Sequence, residues 1–453
     1  MAKVKKDLTK GPVLKNLLMF AFPLFLSSLL QAFYGSADAI IVGRFAQLGD
    51  ITGVTQGSQV TYILTNTISA FSTGGAVLIA QYLGAKKEKD FEEIVNTLFT
   101  FFVYCALGFT ALLLCTNRLI LRALAVQPEA IEPFLWYLRI CEIGITFIFL
   151  YNCISAVLQA MGDAKHPLMF VGIATVVNVV LDLVLVAGLK MGAKGAALAT
   201  VFAQLISVVL SALFLRRQNF PFKFSINSLK IYPDKLRGIL KLGLPYAVQR
   251  VFVSISFLAV SGLSNPYGLA AGSAAGIVNK INNFVTLPYS AMQSAITTMT
   301  AQSIGAGNLK RGKKAFTYGF GISLIFGITM CVAAHVWPQV LLGVFSDDAE
   351  LIAVGADFLK AYSLEYPTMA FTWTAHAFFT GCGHTLIPSI DGILASFVFR
   401  IPLALFFSKK MGMGYPGIAF GSAMAIWGAV VPAVIFLVSG VWKKSTIDLE
   451  DHK

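Results

Sequence analysis

The sequence predicts an all-α polytopic membrane protein. It has twelve transmembrane helices in two six-helix lobes, related by a pseudo-twofold axis along the membrane normal. Three observations carry this. Of the 453 residues, 57% are hydrophobic and only 13% are charged, with a mean hydropathy of +0.74. Those values exclude an ordinary water-soluble domain. The apolar residues fall into twelve runs, each long enough to cross a hydrocarbon core about 30 Å thick. The second six runs repeat landmarks of the first six at a near-constant offset.

In chain order the runs lie near 14–40, 53–83, 92–115, 131–160, 167–189, 195–215, 237–263, 270–302, 315–337, 351–381, 386–407 and 415–441. Pro23, Gly74, Gly75, Pro288, Pro367 and Pro402 fall inside them. Lipid tolerates these residues where neighbouring helices satisfy the freed backbone groups. The lysine-rich start ahead of an apolar run looks like a signal peptide. The first run has a counterpart in the second half, however, so it is expected to stay in the protein.

The duplication shows in ordered landmarks. Ala80–Gln81 with Gly84 returns as Ala301–Gln302 with Gly305, Gly162 and Pro167 return as Gly383 and Pro388, Pro23 as Pro245, and Gly195 as Gly417. The step along the chain is the same in every case to within one position. Six spans per half means both halves enter from the same side, as parallel repeats do. The domains expected are residues 1–215, a cytoplasmic connector 216–236 and residues 237–453. Two halves of this kind suit a carrier that exposes a central cavity alternately to each side.

The polar residues inside the runs point to a cation or proton site. The fifth run, 168–189, carries Thr175, Asn178 and Asp182 at helical spacing, so one face presents all three. A carboxylate at membrane depth is costly and marks an ion or proton path by default. The competing reading is a buried Asp–Asn pair that only joins two helices. Asp38 is the one carboxylate of the first run, and Thr200 lies in the sixth. Asp38, Asn178, Asp182 and Thr200 together offer hard oxygen ligands from three helices. Two carboxylates alone would serve a proton. Adding the amide and hydroxyl oxygens favours sodium, tentatively, as the bound metal ion. A lone membrane Thr usually bonds its own backbone, which makes Thr200 the weakest of the four. Arg139 and Glu142, three apart in the fourth run, are expected to pair with each other.

The second half carries a different set. The counterparts of Asp38 and Asp182 fall near Val260 and Leu403, both apolar. Gln249, Arg250, Asn279, Lys280, Asn282, Asn283, His376 and Arg400 are the residues that could line a substrate cavity. Glu365 is read as either at the rim or interior, and Asp391 as interfacial. The 37 phenylalanines would favour flat, apolar compounds, with cation–π help for positive ones, wherever they line that cavity.

Other classes are disfavoured. No GxxxxGK[ST], HExxH or GxSxG pattern occurs, and the five histidines lack metal-ligand spacing, so no enzyme is indicated. The six cysteines form no CxxC pair and read as packing residues. A formal net charge of +13 is explained by the sidedness of the membrane and not by nucleic acid.

The first-run QAFYGSADAIIVGR, the LQAMGDAKHP loop entry, the fifth-run NVVLD, the KGAALAT of run six and the repeated AQxxGA resemble the multidrug and toxic compound extrusion (MATE) transporters over nearly the whole chain. The resemblance implies two six-helix lobes and cation-coupled efflux of organic, often cationic and amphipathic, compounds. It places the family's N-terminal cation site on Asp38, Asn178, Asp182 and Thr200. Some branches also carry carboxylates in spans seven and ten. Here Leu242–Leu263 has none, and the middle of span ten reads PTMAFTWTA. The alternative within the same superfamily is a lipid-linked oligosaccharide flippase, which Arg250, Lys280 and Arg400 would serve and the two aspartates would not. No cofactor is expected beyond a coupling Na+ or H+. The expected partners are small organic substrates and the lipid bilayer of the cell membrane, with the chain acting as a monomer.

Orientation follows from Lys and Arg. With both termini inside, 23 of the 35 fall on the cytoplasmic side and 7 outside, the rest lying within spans. This is the positive-inside bias. A single cysteine introduced as Ser228→Cys in a cysteine-free background should therefore react with an impermeant maleimide only after the membrane is opened. Labelling of intact cells from outside would invert the topology.

Overall fold

The computed structural model describes residues 7–217 and 229–443. Most of the connector, Ser228 included, lies outside the described residues, as do Lys3, Lys5, Lys6, Lys444 and Lys453. Among the described residues there is no β-strand. The helices are α1 (Val13–Phe45), α2 (Leu48–Gly84), α3 (Glu88–Ala123), α4 (Ile131–Ala160), α5 (Lys165–Asp182), α6 (Gly192–Arg217), α7 (Pro233–Ser264), α8 (Leu269–Gly305), α9 (Leu309–Val336), α10 (Pro338–Gly343), α11 (Ala349–Ser363), α12 (Glu365–Gly381), α13 (Leu386–Ile393), α14 (Ile401–Leu405) and α15 (Tyr415–Ser439).

Ten helical segments among the described residues are long and apolar enough to cross a membrane. The eighth and tenth of the twelve runs are not among the ten. α8 has 37 residues but is diluted by Asn279, Lys280, Asn282, Asn283 and a tract of Thr, Ser and Gln. The tenth run is broken into α11 and α12 at Leu364. Pro367 explains the break. It has no N–H to give the carbonyl four residues back, and its ring crowds that carbonyl. The residue there is Ser363, where α11 ends. The fifth and eleventh runs loosen into π-helical turns, Leu183–Gly188 directly after α5 and Leu394–Arg400 directly after α13. Such turns are frequent at functional sites.

The chain divides into two compact units. One is built on Leu26–Gly243, and the other joins Leu8–Phe25 to the chain from Leu244 onward. In the first unit α4 is the central helix, flanked by α2 and α6. Small residues permit the close approach that membrane helices use in place of a hydrophobic drive. A Cβ on Gly53 would stand 2.7 Å from the Phe134 amide nitrogen and 2.8 Å from Pro133 Cβ. In the second unit α8, α9 and α12 pack together around Tyr289 and Tyr366, both almost fully buried. The Tyr289 hydroxyl donates to the Tyr366 carbonyl at 2.7 Å.

The lead-in to α1 is held within the second unit. The Arg311 guanidinium donates to the carbonyls of Leu8 and Gly11 at 2.7 Å each and of Lys10 at 2.8 Å. The Leu8 amide donates to Gln302 Oε1 at 3.2 Å. The lead-in to α7 is held within the first unit. Lys235 pairs with Asp90 of α3 and lies 4.7 Å from the Tyr82 ring centroid, and the Tyr232 amide donates to Thr97 Oγ1 at 3.1 Å.

Gly53→Val should lower the thermal midpoint of the purified protein, since overpacking costs about 1–3 kcal/mol. Gly108→Ala, on α3 where a Cβ meets nothing within 4 Å, should leave it unchanged or slightly raised. Equal midpoints for Gly53→Val and wild type would show that α2 and α4 are not locked at this contact.

Candidate cation site

The site is assembled in the first unit, on α1, α5 and α6. Asn178 and Asp182, four apart on α5, are both fully buried. Asp38 of α1 is half-buried and faces Asp182 closely enough for the two carboxyl groups to interact directly. Neither Asp182 oxygen, neither polar atom of the Asn178 amide, nor Asp38 Oδ1 has a hydrogen-bond partner among the described residues. Buried polar groups are normally bonded, and each left unmade costs about 1–3 kcal/mol. Four unanswered oxygens around two facing carboxyl groups offer lone pairs to a positive charge.

Thr200 does not bond its own backbone. Its Oγ1 accepts a hydrogen bond from the Tyr34 hydroxyl at 3.2 Å. Tyr34 lies four residues before Asp38 on α1, so the two share a face. That spacing was the available signal for a residue the sequence reading missed. Tyr137 and Cys141 of α4, both buried, come within electrostatic reach of Asp38. Thr175, on the same face as Asn178 in sequence, turns its hydroxyl to the Val171 carbonyl at 2.9 Å and takes no part.

The surrounding wall is apolar. Ile41 and Val42 of α1, Val54 of α2, Val186 of the π turn and Ala193, Ala196 and Ala197 of α6 form one buried cluster. α6 comes close because Gly195 has no side chain: a Cβ there would stand 3.1 Å from the Leu185 carbonyl carbon and from Met191 Cβ. Its first turn is fixed by Asp50, whose Oδ1 accepts from the Ala193 amide at 2.9 Å. A carboxylate at a helix N-terminus satisfies orphan donors and suits the dipole. Gly192 accommodates Asp50 with φ of +53° and no Cβ. Among the described residues no three His, Cys, Asp or Glu come together. The donor set, two carboxylates with neutral amide and hydroxyl oxygens, fits a hard monovalent cation or a proton.

The eight residues singled out in the second half do not form one group. Asn279 and Arg400 line a common cavity. Asn282 donates to the Tyr362 hydroxyl at 3.3 Å, and Tyr362 lines the same cavity. Gln249 packs on Gly392, where any Cβ would collide with it. His376 Nε2 lies 2.6 Å from Asp391 Oδ2, so this histidine is satisfied, and Asp391 is buried and not interfacial. Arg250, Lys280 and Asn283 are exposed. Glu365 is buried and accepts from Arg400 Nη2 at 3.4 Å. The pair expected between Arg139 and Glu142 does not form. Arg139 is exposed, while Glu142 is fully buried and accepts from Asn117 Nδ2 at 3.2 Å. The three-residue spacing placed them near one another, but α3 offered Glu142 a buried partner.

A family model, MatE, matches the chain twice, over residues 23–184 and 245–406, so that the second match starts at the counterpart of Pro23. The chain is 28% identical over 438 residues to a probable multidrug resistance protein, YpnP, of Bacillus subtilis, covering 96% of this chain and 97% of that one. It is 24% identical over 438 residues to the probable multidrug resistance protein NorM of Thermotoga maritima, covering 96% and 94%. In fold it matches a multidrug resistance MATE family transporter of the MOP superfamily in an outward-facing conformation, with a TM-score of 0.90 at 19% identity over 96% of this chain and 98% of that one. It also matches a MOP superfamily transporter from Pyrococcus furiosus, with a TM-score of 0.89 at 20% identity over 97% and 98%. The double match makes the internal duplication explicit, and on it the chain belongs to the MatE family: it is a multi-pass multidrug and toxic compound extrusion transporter, not an enzyme.

Proposed function

We propose that the chain is a cation-coupled antiporter of the cell membrane, with both termini cytoplasmic. It exports organic, mainly cationic and amphipathic, compounds by alternating access as a monomer. One observation carries the coupling. Asp38 and Asp182 oppose each other with a fully buried Asn178 beside them, and no protein donor answers Asp182. Two such carboxylates repel unless a proton or a cation lies between them. The same ligands are then available to the driving ion from one side of the membrane and released to the other.

Sodium is the favoured ion. Neutral oxygens cannot carry a proton, but they can replace part of a cation's hydration shell, and Asn178 and the Tyr34–Thr200 pair supply them. Multidrug export is supported by the names of the relatives in Bacillus subtilis and Thermotoga maritima. The flippase reading is not favoured. It needs a concentrated cationic cavity, and Arg400 is buried against Glu365 while Arg250 and Lys280 are exposed.

In proteoliposomes preloaded with a fluorescent cation, a sodium jump at fixed pH should drive transport. Asp38→Asn and Asp182→Asn should each abolish it at equal reconstitution, whereas Asn178→Ala and Thr200→Ala should raise the sodium concentration needed by about tenfold, the loss of roughly one charge-assisted contact. If sodium does nothing, a pH jump drives transport and both alanine variants keep full activity, the carboxylates act as a proton pair. Wild-type rates in both asparagine variants would sink ion coupling at this site.

A further inference from the structure

The family model matches residues 23–184 and again residues 245–406, and the paired landmarks Pro23/Pro245, Pro167/Pro388 and Gly195/Gly417 set the register between the halves to within one position. In that register every member of the cation site has a counterpart in the second unit. By the steps of the nearest landmarks, Asp38 falls at Val260, Asn178 at Phe399 or Arg400, Asp182 at Leu403 or Ala404 and Thr200 at Ser422. Val260, Arg400 and Ser422, each at or within one position of such a place, line one cavity of the second unit. A pocket therefore lies at the repeat-related place, lined by a guanidinium and by no carboxylate.

Arg400 is 5% exposed and stacks on Phe257, its Cζ 4.6 Å from the ring centroid. It gives Glu365 a single contact at 3.4 Å, whereas an ordinary Arg–carboxylate pair is two-pronged at about 2.7–2.9 Å. Nε and Nη1 have no acceptor among the described residues, and neither does the Ser264 hydroxyl. Ser261 and Ser264 on α7, Asn279 on α8 and Tyr362 on α11 complete the polar wall, and no Asp or Glu lines the cavity. A cation would meet the guanidinium with no carboxylate in the wall. An apolar group would strand its free donors, a cost of about 1–3 kcal/mol each.

We propose that this cavity is an anion site, the sign-inverted counterpart of the cation site, taking a small monovalent anion on Arg400 with Ser264 and Asn279 as further donors. A free halide and the carboxylate head of a larger solute share this chemistry.

The test measures binding without transport, so it is independent of the coupling ion. Purified full-length protein in detergent is titrated with radioactive chloride at fixed sodium and pH, with gluconate holding ionic strength. Saturable binding is expected. It should weaken by about tenfold or more in Arg400→Gln, which removes a charged donor. It should be lost in Ser264→Leu, which fills the cavity without touching Arg400 and so covers the case in which Arg400→Gln misfolds. Displacement by bromide but not acetate identifies a free halide, and displacement by acetate at equal or lower concentration identifies a carboxylate head. Absence of saturable binding of either chloride or acetate by monodisperse wild type would overturn the proposal and leave the cavity to water. Unchanged chloride binding in Ser264→Leu would overturn it equally.

Discussion

Two carboxylates held face to face among isoleucine, valine and alanine set the terms for the first unit. Hydrocarbon offers nothing to a buried charge, so Asp38 and Asp182 call for a proton or a cation between them and for helices packed closely enough to hold them face to face. The small residues of α6 do this. Ala193, Ala196 and Ala197 let that helix close on α1 and the π turn, and Asp50 pins its first turn. The π turn begins at the residue after Asp182, where the helix changes pitch. Thr200 is then turned toward Tyr34 and not toward its own backbone. Stability and site share elements here: the apolar cluster that joins α1, the π turn and α6 includes Ile41 and Val186, within four residues of Asp38 and Asp182 along the chain.

Much of this was legible in the residues. The apolar runs marked the helices because the lipid core demands about twenty apolar residues per crossing. The duplication was legible because Gly and Pro at close approaches cannot drift. Gly195, which lets α6 approach Leu185, returns as Gly417, where a Cβ would stand 2.7 Å from the Phe407 carbonyl carbon. Asn178 and Asp182 were legible by spacing. Other features depended on partners that no local pattern names. Glu142 chose Asn117 of α3 over Arg139 of its own helix, since only Asn117 could follow it into burial. His376 found Asp391 fifteen residues on. The break at Leu364 was written in Pro367, but a proline inside a membrane helix can equally be absorbed by a kink, and only packing decides between the two.

The duplication then explains a contrast that composition hides. Both halves carry a helix that gives way to π turns, Leu183–Gly188 and Leu394–Arg400, and both carry polar groups in or near them. In the first half those groups are Asn178 and Asp182, with Asp38 opposite. In the second, Arg400 lies in the π turn and lines a cavity together with Val260. A buried guanidinium is tolerable only with a partner, and Glu365 supplies one from the start of α12, where the helix N-terminus also favours a carboxylate. The break at Leu364 makes Glu365 the first residue of α12. The buried guanidinium of one copy of the repeat is met by a carboxylate at a helix break in a neighbouring element, while the other copy carries two acids.

The lead-in segments show the same divergence under a common rule. Arg311 answers to Asp90 by the same step that carries Ala80 to Ala301, and each holds the chain that enters the first helix of a repeat. Arg311 does so through three backbone carbonyls, which any sequence at residues 8–11 could offer. Asp90 does so through the side chain of Lys235. The chain changes unit within α1 at Leu26, just past Pro23, and near the start of α7 at Leu244, just before Pro245. α1 and α7 are therefore each members of both units. The same two helices carry Asp38 and the Phe257–Ser264 wall. Asp38 and the segment that Arg311 holds are thus joined along the chain by one helix, α1.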